Sequence, residues 1–378
     1  MSKKYARFLT VFFCLILALT FTANALTPDK KHSEVENRDL TQRPTATLES
    51  VGSGAFMTSY EKYVTDQFVG RDAWVAAKAY AERAVGKQEN NGVYFCADST
   101  LITRFDAPDQ TKVDNNISYV NKFAEKAGVP VYFGLIPGAA TVWADKLPQG
   151  APNYDQKKVI DQAAAGAAAA RSVDLYTPLM AHKSEALFYR TDHHWTSLGA
   201  YYGYKALMDA MGQTATPLSS YTRTTVSDSF YGTVFSSSGV RWVRPDSIDV
   251  YVPEDGISVV SKTYDKKGTP VDEPRQLYDE SYLSRKDKYS MFLGGQQPLG
   301  VVKTGHTDKP KLLLLRDSYS DSLVPFLTAN FSEIHLIDYR YFKQGAADYI
   351  RENGIDMALV LYSVPNFVSD TNLVWMGK

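Results

Sequence analysis

Residues 311–320 read Lys-Leu-Leu-Leu-Leu-Arg-Asp-Ser-Tyr-Ser. An apolar run this short, closed by charged and hydroxyl residues, reads as a strand buried on both faces, the pattern of a parallel sheet. Downstream, the sequence predicts an amphipathic helix to Phe331, a strand at Ile334–Ile337, a helix at Ala346–Glu352 and a strand at Met357–Tyr362. Such alternation implies right-handed crossovers and a doubly wound sheet. The same grammar appears upstream. Val113, Ile117, Val120, Phe123, Ala124 and Ala127 recur on one helical face closed by Gly128, and residues 129–136 form a near-continuous apolar run ending at Pro137-Gly138. The fold class is α/β with a mostly parallel sheet.

Other segments fill in around this frame. Tyr60, Tyr63, Val64, Phe68 and Trp74 recur at helical steps, which predicts a helix over residues 56–85. Asn91-Gly92 marks a tight turn before the short strand Val93–Cys96. The Ala-rich stretch inside residues 160–173 reads as a closely packed helix. A strand at Leu187–Tyr189 leads into Asp192-His193-His194-Trp195, after which Thr196 or Ser197 caps a helix to about Met211. From about 213 to 303, Ser, Thr, Gly and Pro become frequent and helical periodicity fades, which predicts a β-rich insertion.

Lys3, Lys4 and Arg7 precede an uncharged run from Phe8 to Thr22 and then Ala23-Asn24-Ala25. This is the order of a secretory signal peptide over residues 1–25, with an uncleaved anchor as the alternative. Export places the rest of the chain outside the cytoplasm. Residues 26–55 are polar and read as a linker, leaving 56–378 as the main domain. Removing residues 1–25 leaves 38 basic against 42 acidic residues, a net −4, which excludes a strongly basic nucleic-acid binder. It also leaves Cys96 alone, so the exported chain forms no internal disulfide.

Ser318 stands after a buried strand and before a helix, at the carboxyl edge where open parallel sheets gather reacting groups. Its own N–H then lies near a helix N-terminus, a natural oxyanion donor; a plain helix-capping serine is the alternative. Asp192 and His194 are two residues apart, and in an extended segment they share a side while His193 points away. A carboxylate on one ring nitrogen fixes the tautomer and frees the other to take a proton from a serine hydroxyl. The Asp-His-His run could also hold a divalent ion, but no further carboxylate cluster accompanies it and His32, His182, His306 and His335 lack ligand spacing; we assign no metal and no cofactor. Phosphate-loop, dinucleotide and Gly-x-Ser-x-Gly motifs are absent from the sequence.

Tyr189-Arg190-Thr191-Asp192-His193-His194-Trp195-Thr196 with Gly199 resembles the signature of the bacterial DHHW family. Leu315–Tyr319, Pro325-Phe326, Ile337–Tyr341, Tyr231-Gly232-Thr233 and Pro245–Ile248 resemble its other blocks, so the likeness spans roughly residues 55–378. That family is similar to the SGNH-hydrolase-like domains of alginate O-acetylation proteins, in which Asp-x-His precedes Ser as if by circular permutation. The resemblance implies a three-layer SGNH-like domain with Ser318 as nucleophile, His194 as base and Asp192 as its orienting carboxylate. It implies a secreted or membrane-anchored O-acetyltransferase acting on a polysaccharide, supplied with acetyl groups by a membrane acyltransferase. A carbohydrate esterase with the same residues is the near alternative, and a non-catalytic carbohydrate-binding scaffold the distant one. Arg316 occupies the Gly position of a Gly-Asp-Ser block, which moves the search for oxyanion or substrate groups to Asn366, Arg340 and a sugar-stacking Trp195.

Overall fold

The computed structural model of the chain describes residues 2–253, 256–264 and 270–378. They divide into two compact units, one comprising residues up to Asn90 with Gly239–Arg241, the other the remainder. The division falls near residue 90, downstream of the boundary at 55 that composition suggests.

The first unit begins with helix α1 (Lys3–Leu26), whose residues are all unburied and whose mean hydropathy reaches 2.1 over its most apolar window. It is long and apolar enough to cross a membrane. The polar stretch that follows contains the paired strands His32–Ser33 and Arg38–Asp39, held by Asp66. The Asp66 carboxylate accepts from both terminal nitrogens of Arg38, at 3.1 and 2.6 Å, and from the Thr41 N–H at 2.8 Å. These bonds hold Asp66 below the usual carboxylate range despite its burial. The helix expected over 56–85 is two helices, α2 (Ala55–Asp66) and α3 (Arg71–Ala84). Gly70, at φ +67°, breaks them apart in a conformation that continuous helix cannot adopt.

The second unit is built on an eight-stranded sheet. Its strands are β1 (Val131–Ile136), β2 (Arg171–Val173), β3 (Ser258–Tyr264), β4 (Pro270–Arg275), β5 (Leu299–Lys303), β6 (Lys311–Arg316), β7 (Glu333–Ile337) and β8 (Met357–Ser363), in the order β4-β3-β5-β7-β6-β8-β1-β2. The five strands from β7 to β2 run parallel, and β5, β3 and β4 extend the sheet antiparallel. The region expected as a β-rich insertion therefore contributes three strands to the main sheet, and among its described residues Thr222–Phe230 with Asp246–Val252 forms a separate ribbon. Strand β6 sits between β7 and β8, and Leu312 to Leu315 are fully buried, as a run apolar on both faces requires.

Two helical layers flank the sheet. In one, α4 (Gln110–Lys126) starts at Asp109, whose side chain accepts from the Thr111 N–H at 3.0 Å. Val113, Ile117, Val120 and Phe123 form its buried stripe. Burying each stabilises the fold by about 1.5–3 kcal/mol. Helices α5 (Gln156–Gly166) and α6 (Ser197–Ala210) follow, then α7 (Ala346–Asn353). The Ala-rich tract is only partly helical, because α5 stops at Gly166 before β2 begins. Thr196 caps α6 by accepting from Gly199 N–H at 3.2 Å.

The helix expected after Ser318 is shorter than its apolar pattern suggests: a 3₁₀ turn at Ser318–Ser322 and one α turn at Val324–Leu327. Pro325 removes a backbone donor and limits continuation from the 3₁₀ turn. No strand covers 187–189; Phe188 makes only a single bridge to Trp195.

Candidate active site

Strand β6 ends at Arg316, and the next two residues turn over the carboxyl edge of the sheet. Asp317 fixes that turn. One of its oxygens accepts from the Tyr319 N–H at 3.0 Å; the other accepts from Ser363 N–H (2.8 Å), Ser363 Oγ (2.7 Å) and Asn366 Nδ2 (2.8 Å). One carboxylate thus joins the ends of β6 and β8 and holds Ser318 half-exposed at the rim.

The segment 190–195 arrives from another part of the chain. Ser318 Oγ lies 2.8 Å from His194 Nε2, and His194 Nδ1 lies 2.6 Å from Asp192 Oδ1. These three side chains therefore lie together, though not by strand alternation. Asp192 Oδ1 also accepts the His194 N–H at 3.0 Å, so a local side-chain turn folds the carboxylate under the ring. His193 does not point away. Its ring centroid lies 3.8 Å from that of His194, and its Nδ1 lies 2.6 Å from Thr233 Oγ1.

Asp192 is buried and braced on its far side, with Oδ2 accepting from Thr233 N–H at 2.7 Å and Thr233 Oγ1 at 3.0 Å. Gly232 permits this approach: a Cβ there would lie 2.2 Å from both Asp192 Cβ and Oδ2. Burial alone would raise the Asp192 pKa, but the neighbouring imidazoles and the Thr233 bond hold it below the usual carboxylate range. Behind it, Asp246 accepts from the Thr191 N–H at 2.8 Å and from Thr191 Oγ1 at 2.6 Å, fixing the segment's path.

Tyr289 is a residue that sequence reading missed. Its ring stacks on His194 with centroids 3.8 Å apart and planes 6° apart, and its hydroxyl donates to Ser318 O at 3.0 Å. Nothing local distinguishes it among 25 tyrosines. Under the turn, Arg316 and Asp321 form a buried ion pair at 2.5 Å, with side chains 1% and 5% exposed. Burial outweighs the nearby guanidinium and pushes Asp321 up to about 7.

The remaining candidates fare differently. Trp195 is fully buried: its Nε1 donates to Tyr319 O at 2.8 Å, and the ring packs where a Cβ on Gly203 would meet it at 2.8 Å. It cannot stack on a sugar, which corrects that expectation; it anchors α6 to the serine turn. Asn366 and Arg340 do face the site's surroundings. With Asp317, Ser369, Thr371 and Asn372 they line a groove of about 220 Å³. Arg340 is held there by Asp338 through contacts of 2.6–3.1 Å. A larger cavity of about 590 Å³, lined by Thr222, Thr304, His306 and Thr328, includes none of the candidate residues.

Asp192, His193 and His194 lie close enough together to suggest a metal cluster. Their polar atoms already have other uses, since both His194 nitrogens and both Asp192 oxygens are engaged. The arrangement is instead suited to moving a proton: a hydroxyl, an imidazole and a braced carboxylate in sequence.

A family model described as DHHW protein matches residues 84–337. Among solved structures, a DHHW family protein from Eubacterium siraeum superposes with a TM-score of 0.67 at 29% identity, covering 76% of this chain and 95% of its own. Bacillus cereus PatB1, in a structure with a sulfonyl adduct, superposes with a TM-score of 0.61 at 22% identity, covering 75% of this chain and 97% of its own. A search of curated proteins finds no match. The chain thus shares its α/β architecture, built on a mostly parallel sheet, with both of these structures.

Proposed function

The chain belongs to the DHHW protein family, and on that footing we propose that it is an extracytoplasmic O-acetyltransferase that passes an acetyl group through Ser318 to a hydroxyl of a surface polysaccharide. The observation that carries this reading is the unbroken run of hydrogen bonds from Ser318 Oγ through His194 to Asp192 and Thr233. In the first step Ser318 Oγ attacks the acetyl carbonyl carbon and its proton passes to His194 Nε2, while Asp192 balances the imidazolium charge. The carbonyl π pair moves onto oxygen, where the Ser318 N–H and Asn366 Nδ2 stabilise it. Collapse of the adduct breaks the bond to the donor's leaving group, which takes the proton from His194. In the second step His194 removes the proton from a sugar hydroxyl, whose oxygen attacks the acetyl-serine; the bond to Ser318 Oγ then breaks and His194 Nε2 returns the proton to it. Water in the sugar's place gives hydrolysis, the alternative reading.

A polar groove beside the turn fits a hydroxyl-rich acceptor, and Arg340 supplies a fixed positive charge near it. The acetyl donor is a membrane acyltransferase on the same side of the membrane, consistent with the apolar N-terminal helix. Aryl acetate turnover by the full chain and by Ser318→Ala tests the reading. Removal of the nucleophile should lower kcat by roughly 10⁴-fold. Equal rates would refute it.

A further inference from the structure

The first unit carries an unusual surface. Outside α1 it exposes Leu48, Val51, Met57, Tyr60, Val64, Trp74, Tyr80 and Val85, of which Met57 (62%), Tyr60 (38%) and Val64 (37%) lie on α2 and Trp74 (64%) in the first turn of α3. Met57, Tyr60 and Val64 are spaced by three and four residues, so they form one stripe along α2. Large apolar side chains left open in this grouping mark an interaction surface rather than ordinary scatter.

The surface is tied to the end of α1. Asn24 Oδ1, in the last turn of α1, accepts the Val69 N–H at 2.9 Å. Just beyond the helix, Asp29 accepts from the Tyr63 hydroxyl at 3.1 and 3.0 Å, and Gln67 Oε1 accepts the Lys30 N–H at 2.8 Å. Gln67 Nε2 donates back to Lys30 O at 2.9 Å. The C-terminal end of α1 is thus bonded to the end of α2 and to the turn between α2 and α3. Lys3, Lys4 and Arg7 at the other end place that end of a spanning helix on the cytoplasmic side, and α2 and α3 at the level of the opposite interface.

We infer that α1 is retained as an anchor and that α2 and α3 lie in the outer interfacial layer of the bilayer, with Met57, Tyr60, Val64 and Trp74 seated among the lipids. The residue types agree, because Trp and Tyr favour the depth where an apolar ring body meets a wet edge. Charge identifies the kind of lipid. Residues 27–88 hold equal numbers of acidic and basic residues, so the attraction is apolar and needs no anionic headgroup. Cleavage after Ala25 would delete Asn24 and its bond to Val69, so the seat and the anchor go together. This inference does not depend on the chemistry proposed for Ser318.

The test uses the full chain, its intact mass confirming residues 1–25, reconstituted into phosphatidylcholine vesicles with lipids brominated at shallow acyl positions. Bromolipid should quench a component of the tryptophan emission, and Trp74→Phe should abolish that component. Iodide in the water should fail to reach it. Met57→Gln/Val64→Gln, which alters only exposed positions and leaves the anchor intact, should weaken the bromolipid quenching of Trp74. Free access of iodide to Trp74 in vesicles would overturn the inference. So would shielding from both quenchers, which would mean a protein partner covers the face, or membrane-bound chain lacking residues 1–25.

Discussion

Gly232 offers a sharp test of how far the Asp192 carboxylate governs the chemistry. In Gly232→Ala the new methyl carbon would sit 2.2 Å from Asp192 Cβ and Oδ2 and 2.6 Å from Cγ. Non-bonded carbons rest at about 3.5–4.0 Å, so the two segments must part by more than about 1 Å. Asp192 is the side that yields, since its Oδ2 is held only by Thr233, the residue next to the substitution. Overpacking of this kind costs about 1–3 kcal/mol. For a unit of this size that lowers Tm by about 2–4 °C per kcal/mol and leaves the protein folded at 25 °C. A displacement of 1 Å in an aligned catalytic array costs on the order of 10²-fold in rate, about 2.7 kcal/mol of barrier. The expected outcome for aryl acetate turnover is a kcat about 10²-fold lower with little change in KM, because the methyl lies behind Asp192 and not in the substrate groove. A folded Gly232→Ala protein with kcat within threefold of the parent would refute the argument that Asp192 alignment drives the reaction.

Other expectations follow from the same structure. Asp321 has its folded pKa raised to about 7, so its stabilising contribution is full below the unfolded carboxylate value near 4 and is lost as pH rises toward 7, by at most about 1.4 kcal/mol per pH unit. Thermal unfolding between pH 4.5 and 7.5 should show a shallower stability slope for Asp321→Asn than for the parent; identical slopes would count against the assignment. Asp192 acts in the opposite sense, because its lowered pKa adds stability above about pH 4 that disappears on acidification. Asp192→Asn should therefore be relatively less harmful to the Tm at pH 3 than at pH 7. Trp195→Phe deletes the donor to Tyr319 O and leaves that carbonyl buried, which should cost about 1–3 kcal/mol in a denaturant titration while creating no new sugar specificity. Phe123→Ala empties the C-terminal end of the α4 stripe and should cost about 3–5 kcal/mol without altering the kcat of whatever remains folded.

Much of this was readable in the chain, and the gaps have physical causes. The leucines of 312–315 could be assigned to a buried strand because burial on both faces leaves no polar alternation to confuse with a helix. Ser318, His194 and Asp192 could be nominated because their chemistry is scarce and their positions follow apolar runs. The manner of their meeting was not readable. An Asp side chain that bends back to its neighbour's amide looks identical, in sequence, to two residues on one face of a strand. Trp195 misled because an aromatic beside a candidate site has the same letter whether it faces a sugar or, as here, Tyr319 and Gly203. Tyr289 gave no signal, since its value lies in a fold-back that brings it onto a histidine from a distant segment. The β-rich stretch was recognised as strand-forming, but its membership of the main sheet depends on long-range pairing of β5 with β7.

Strand β8 enters the sheet between β6 and β1, although every other strand precedes it in the chain. Its terminal Ser363 supplies two of the bonds that hold Asp317 and hence the serine turn. A chain emerging amino end first can therefore complete neither the centre of its sheet nor its reactive turn until residues 357–363 arrive. A partial chain is not a looser version of this turn but one that lacks two of the bonds that set it. The order of the chain thus works as a built-in delay, in which the serine turn is set only by the last strand to be made.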